Sequence, residues 1–420
     1  MIKDRVRDVS LSRMNTTIAC SGCDYIAPPF DPRPFRCPRA GDGGEHILVR
    51  RLERVDAASF FDREPNPFIR YRQLTHAWNT AIALGITDSE FVALVRELDQ
   101  RVATVAGVGF VETPLRPGSI TVKDETANVA GSHKARHLMG LMIWLRIAER
   151  TDPSLAGARL AIASCGNAAL GAAVIARAAE RPLDVFIPLD AAPSIVTRLE
   201  TLGAHITRCE RNDGEAGDPA YLRFREALAA GALPFTCQGS ENGLVIEGGQ
   251  TLGWEIASQI AAAGMTVDRL FIQTGGGALA SACIAGLEEA RAAGVIPRLP
   301  RIHAVQTSAV APLQRAWQLV ETHGLDRAAA HRAQFMWPWK TPGRSIATGI
   351  LDDETYDWFA VVRGMQSSGG FPVVVSEEEL MEAKELAGDR VSATGAAGLA
   401  GLLHLRVSGE SQMVLFTGAA

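Results

Sequence analysis

Five stretches of this 420-residue chain put reactive or ligand-binding residue types at turns. In the first, Lys134 follows Gly131-Ser132-His133 and opens an expected helix over 135–147. A lysine entering a helix lies near the positive end of its dipole. That placement favours the neutral amine, the form that attacks a carbonyl. The chain has five lysines against thirty-seven arginines, so Lys134 stands where arginine is the default. Taken alone it reads more readily as a surface lysine in a first helical turn. The second stretch, Ser164-Cys165-Gly166-Asn167, offers backbone N–H groups that suit a carboxylate at a helix N-terminus, and a side-chain amide. Its plain alternative is an ordinary helix cap. The third, Thr274-Gly275-Gly276-Gly277-Ala278, lets the backbone approach an anion closely and reads as a phosphate cradle. It follows neither the Walker pattern nor the spaced glycines of dinucleotide folds. The fourth, Thr417-Gly418, sets a hydroxyl after an apolar run. The fifth, Cys20, Cys23, Cys37 and His46, can take the corners of a zinc tetrahedron. A ribbon that has lost its metal and survives as a packed arm fits the same spacing.

The elements around these stretches alternate. Apolar runs predict strands at 119–123, 159–164, 184–188, 205–209, 234–237, 269–273, 302–306, 373–375 and 413–416. Alanine-rich helical segments at 168–179, 195–202, 221–230 and 279–293 separate several of them. Ahead of these, 76–84 and 88–105 have helical periodicity, the second with Thr87 and Glu90 spaced as a capping box. Short apolar strands alternating with helices define an α/β, doubly wound class with open sheets. In such sheets ligands collect at the carboxyl ends of the strands, where four of the five stretches fall. A lysine, a phosphate cradle, an asparagine loop and a terminal hydroxyl are the parts needed to hold pyridoxal 5'-phosphate. A neutral hydroxyl at the pyridine nitrogen tunes that ring toward elimination and replacement.

Gly131-Ser132-His133-Lys134-Ala135-Arg136, Ser164-Cys165-Gly166-Asn167-Ala168-Ala169, the glycine run and Thr417-Gly418, in that order, resemble the tryptophan synthase β-like (fold-type II) pyridoxal-phosphate enzymes. The resemblance covers roughly 110–420. The cysteine knuckle, the Ser-x-Gly-Asn-Ala-Ala form, Glu247-Gly248-Gly249-Gln250-Thr251 and Ser345-Ile346-Ala347-Thr348-Gly349-Ile350 are most similar to threonine synthase and its relatives. It implies Lys134 as the Schiff-base lysine and acid/base group, and Asn167 at the cofactor's phenolic oxygen. It implies Ser164, Cys165 and Gly166 around the substrate carboxylate. It also implies Gly275, Gly276, Gly277 and Ala278 on the phosphate, with Thr417 at the pyridine nitrogen. The residue before the lysine is usually phenylalanine in threonine synthases; here it is His133, as in tryptophan synthase β chains. His133 is therefore placed either near the cofactor phosphate or in a packing role.

The implied architecture is a zinc-ribbon-like arm (1–50), a large cofactor domain (51–154 and 236–420) and a small mobile domain (155–235). The implied activity is elimination or replacement on a small amino acid bearing a hydroxyl or phosphate ester, as in threonine synthase. An ammonia-lyase giving a 2-oxo acid is the alternative, and a silent scaffold relative is a third reading. A net charge of −5 gives no reason to expect nucleic acid or an anionic membrane as the main partner, and no apolar run is long enough to cross a bilayer. Seven mostly scattered cysteines predict a reducing, cytoplasmic setting, and the family's common form predicts a homodimer.

Overall fold

The computed structural model describes residues 14–420 except 213, 214, 216 and 342; the first thirteen residues of the expected arm lie outside the described residues. The first strands are β1 (Thr16–Cys20), β2 (Leu48–Leu52), β3 (Leu115–Arg116), β4 (Thr121–Asp124), β5 (Leu160–Ala163) and β6 (Leu183–Pro188). After them come β7 (His205–Cys209), β8 (Leu233–Pro234), β9 (Arg269–Gln273), β10 (Arg301–Thr307), β11 (Val373–Val375) and β12 (Gln412–Phe416). They form three sheets. β1 and β2 pair as an antiparallel ribbon. Six strands in the order β11-β10-β9-β12-β4-β3 form a large sheet that is parallel except where β3 meets β4, and β7-β6-β5-β8 form a small parallel sheet.

The predicted strands all form, with ends shifted by a residue or two, save that 234–237 shortens to Leu233–Pro234. The ribbon was not anticipated, and β2 runs through the boundary expected at residue 50. Its two strands are separated by the whole cysteine knuckle, so no local turn signal links them.

Six helices position the site: α1 (Asp88–Ala106), α2 (Lys134–Ala148), α3 (Asn167–Ala178), α4 (Val245–Ala262), α5 (Ala278–Ala292) and α6 (Ala393–Leu405). α1 starts at the anticipated box, with Thr87 capping Glu90 and the Glu90 carboxylate returning to the Thr87 N–H, and it ends at Gly107 in the left-handed region. α2 is apolar on nearly every face after Lys134, as a helix enclosed on all sides must be. Its leucine, methionine and isoleucine side chains join α3 and the small sheet in the largest apolar cluster, whereas α4, α5 and the large sheet supply a second.

The exception on α2 is Arg136, 1% exposed. Its Nε donates to Glu125 Oε2 at 2.8 Å and its Nη1 to Glu255 Oε2 at 3.0 Å. Lys123 bonds the same Glu255, and Thr113 links both carboxylates, its hydroxyl donating to Glu125 and its backbone N–H to Glu255 at 2.7 Å. Two cations and two anions balance in the dry interior between β4, α2 and α4. Burial alone would push Glu125 and Glu255 up; Arg136 and Lys123 outweigh it and hold both below the usual carboxylate range. Removing one member of such a set leaves an uncompensated buried charge, a loss of about 3–5 kcal/mol. Arg136→Met should therefore lower the unfolding free energy in urea by about that amount at pH 7. Carboxylates with depressed folded pKa values stabilise above their unfolded pKa and lose that contribution as pH falls. The gap between wild type and variant should accordingly close below about pH 4; a gap unchanged down to pH 3 would contradict the assignment.

Candidate active site

β4, β12 and β9 are adjacent and parallel, with Phe416 opposite Asp124 and Val414 opposite Phe271. Parallel strands end on one edge, so the loops after all three emerge together. These are the loops carrying Lys134, Thr417 and the glycine run. The fourth loop comes from the small sheet: β5 ends at Ala163, and Ser164, Cys165 and Gly166 lead into α3. A Cβ placed on Gly418 would lie 3.0 Å from Asn167 Nδ2, so the asparagine amide reaches the Thr417 turn. Topology thus brings together four stretches spread over nearly three hundred residues.

Lys134 is the first residue of α2 and is half-buried. His133, just before it, is buried; its Nδ1 lies 3.1 Å from the Thr417 carbonyl, and its backbone N–H donates to the same oxygen at 3.2 Å. Facing a carbonyl, Nδ1 carries the proton, and Nε2 is left as a buried acceptor without a partner. His137, one turn on, repeats the arrangement against the Val245 carbonyl at 2.9 Å. Burial, then the charge of Lys134, pushes His133 well below the ordinary imidazole range. Among the described residues no hydrogen bond joins His133 to the glycine run.

Thr417 is 2% exposed despite standing three residues from the last one. Gln273 Nε2 donates to its Oγ1 at 2.6 Å, which leaves the threonine proton free to be donated elsewhere. The final residues are tied down by Ala419 N–H to the Gly131 carbonyl at 2.8 Å and Ser392 N–H to the Gly418 carbonyl at 3.0 Å.

The glycine run ends at Gly277, whose φ of 96° lies in the left-handed region where it caps α5. The first N–H groups of a helix have no partner within it. Against this turn lies segment 350–357: a Cβ at Gly275 would collide with Asp352 Oδ2, and one at Gly276 would meet the Tyr356 ring at 2.8 Å. The half-buried Asp352 is pushed up by its surroundings and drawn back by Lys134 and by the Gly276 N–H that faces it. Ser164 Oγ accepts from the Gly166 N–H at 3.4 Å. Cys165 is exposed at the mouth, and packing around its sulfur, then Asp190, Asp218 and Asp352, push its thiol up.

The donor set fits pyridoxal phosphate. The turn at α5 already faces an anion, the carboxylate of Asp352. Ser132 Oγ beside Lys134 is buried and unpartnered, a hydroxyl with a proton to give. The Thr417 hydroxyl has a proton to give. Gln273, Asp352 and Ser132 were not anticipated. Gln273 carried a weak signal, a polar residue closing an apolar strand; the other two carried none.

At the other end, Cys20, Cys23, Cys37 and His46 present donor atoms all within 4.8 Å of one another. The Cys23 and Cys37 sulfurs are 3.8 Å apart, and His46 Nδ1 is 3.5 Å from Cys20 Sγ and 3.6 Å from Cys37 Sγ. Zn–S bonds of about 2.3 Å in a tetrahedron require sulfurs about 3.8 Å apart. Asp42 holds His46 Nε2 at 2.7 Å, turning Nδ1 toward the sulfurs.

Two sheets of the tryptophan synthase β-like type, with a lysine, a glycine cradle and a hydroxyl at one strand edge, define a cofactor-dependent α/β enzyme. The chain belongs to the pyridoxal-phosphate dependent enzyme family, whose model matches residues 110–418. It is 25% identical over 304 residues to threonine synthase of Methanocaldococcus jannaschii, covering 71% of this chain and 68% of that protein. It is 29% identical over 184 residues to L-serine dehydratase of Saccharomyces cerevisiae, covering 42% of this chain and 53% of that one. Among solved structures, diaminopropionate ammonia lyase from Escherichia coli superimposes with a TM-score of 0.59 at 16% identity, over 86% of this chain and 92% of the other. Maize serine racemase gives 0.57 at 19% identity, over 78% and 92%. No helix among the described residues is long and apolar enough to cross a membrane.

His133 should remain neutral across the physiological range. Its imidazole nitrogens, followed by NMR, should show no titration between pH 6 and 8. A histidine whose folded pKa is depressed costs stability on acidification, because the unfolded chain binds the proton first. Unfolding free energy should thus fall as pH drops through about 6.5, the unfolded value, and His133→Phe should flatten that slope. An imidazole titrating near 6.5 would overturn the reading.

Proposed function

We propose that this chain is a pyridoxal-phosphate-dependent lyase acting by elimination or replacement on a small amino acid with a hydroxyl or phosphate-ester leaving group. The observation that carries the proposal is the meeting of Lys134, the glycine run, Asn167 and the Thr417 hydroxyl at one strand edge. The cofactor, when bound, supplies an electron sink that lets the substrate lose a proton at Cα and a leaving group further along.

This chain's residues do the rest. Lys134 Nζ would hold the cofactor and would be the base at the substrate Cα. The N–H groups of Gly275, Gly276, Gly277 and Ala278 would take the phosphate at the α5 N-terminus. Asn167 would offer its amide to the phenolic oxygen, and the Ser164–Gly166 turn would bind the substrate carboxylate. Thr417 Oγ1, which accepts from Gln273 Nε2, would hold its proton toward the pyridine nitrogen. Asn167 sits on the smaller lobe (155–235) and Lys134 on the larger (51–154 and 236–420), so closure of the two excludes water from the reacting carbon.

Replacement by water, as in threonine synthase, is supported by the similarity to that enzyme and by the cysteine knuckle, which we assign as a structural zinc site. Simple loss of water and ammonia is the second reading, supported by the similarity to L-serine dehydratase.

Purified protein should carry the visible absorption band of lysine-bound cofactor, and Lys134→Ala should lose it together with all turnover. The band surviving in Lys134→Ala would sink the assignment. A panel of serine, threonine, homoserine and O-phosphohomoserine separates the two outcomes: 2-oxo acid from the first two with no phosphate released from the last selects the ammonia-lyase. Metal analysis should find one zinc per chain, reduced in Cys20→Ser; equal zinc in both would remove the knuckle from consideration.

A further inference from the structure

The glycine run is not open. Segment 350–357 lies across all three of its glycines: Asp352 Oδ2 and Ile350 Cα over Gly275, the Tyr356 ring over Gly276, and Thr355 Cγ2 with Asp357 Cβ over Gly277. The Asp357 N–H also donates to the Gly276 carbonyl at 3.0 Å. The group nearest the turn is a carboxylate, so an anion of the chain's own stands where the α5 N-terminus invites one. Among the described residues Asp352 forms no ion pair, whereas its neighbour Glu354 is bound by Arg332 at 2.6 Å. The segment is anchored at both ends, by buried Ile350 and by Trp358, whose Nε1 donates to Glu45 at 2.8 Å. Between these anchors, Leu351, Asp352, Asp353 and Glu354 are all half-buried. They form a short strap across the turn, on which the Asp353 carbonyl accepts from the Trp339 N–H at 2.9 Å.

We propose that Asp352 is a built-in competitor for the anion site at the α5 N-terminus, so that a phosphorylated ligand enters only when the strap withdraws its carboxylate. The proposal rests on the cofactor reading above, in that the ligand displacing Asp352 is the cofactor's phosphate. A carboxylate and a phosphate cannot share one set of N–H donors, because like charges at hydrogen-bond range repel and each donor serves one acceptor. Asp352 thereby keeps a negative charge beside the turn and withholds affinity from weak anions. Burial, which raises its pKa, makes the carboxylate easier to protonate, so lower pH assists loading.

The test uses full-length protein freed of cofactor. Asp352→Asn keeps the shape and removes the charge. It should bind pyridoxal 5'-phosphate at least tenfold more tightly than wild type while binding of pyridoxal, which lacks the phosphate, stays the same. It should also gain thermal stabilisation from millimolar inorganic phosphate that wild type lacks. Asp353→Asn, next to it but off the turn, should behave as wild type and controls for general loss of charge. Equal or weaker phosphate stabilisation in Asp352→Asn would overturn the competitor. The phosphate arm is independent of the cofactor reading: if no lysine-dependent absorption forms in either protein, that reading fails, and the phosphate response still decides the role of Asp352.

Discussion

The structure depends on a salt-bridged knot that water does not reach. Arg136 lies two residues after Lys134 on α2, with Glu125 from the end of β4 on one side of it and Glu255 from α4 on the other. Lys123, on β4 itself, balances the set. Charges buried at this depth are tolerated only when fully paired, so the knot admits one arrangement of β4, α2 and α4. That arrangement sets where α2 begins, and the beginning of α2 is Lys134. Apolar packing around the rest of the helix resists translation; the ion pairs define its axial position and rotation.

A second constraint is the parallel order β9-β12-β4. Three loops leave one edge of the sheet because three parallel neighbours end there, and the candidate ligand-binding groups follow. The small sheet contributes its own loop through α3, whose Gly171 packs against the start of α2. The chain end is part of the same device. Thr417 is held by Gln273 from β9, and the residues after it are sewn to Gly131 and Arg390. Backbone pairing holds Ala419 against the very loop that precedes Lys134.

Much of this was legible from local pattern. Strand and helix alternation, the Thr87–Glu90 box and the order of the four motif stretches all follow from residue type and spacing, and they sufficed to indicate the family and its cofactor. What escaped was non-local. The β1–β2 ribbon joins strands separated by the knuckle. Gln273 became important only because β12 lies beside β9. Asp352 stands nearly eighty residues after the glycines it covers, in a stretch with no distinguishing pattern. His133, ambiguous between phosphate and packing, lies buried under the Thr417 carbonyl, where burial and the adjacent amine disfavour its charged form.

By itself the sequence determined the class of fold and the chemical parts, because hydrophobic periodicity and turn chemistry act over a few residues and are written in the chain. Only the tertiary structure decided which parts meet, which stay covered and which protonation states they hold. Those outcomes depend on strand order, burial and the mutual distances of charges, quantities that exist only after distant segments have packed.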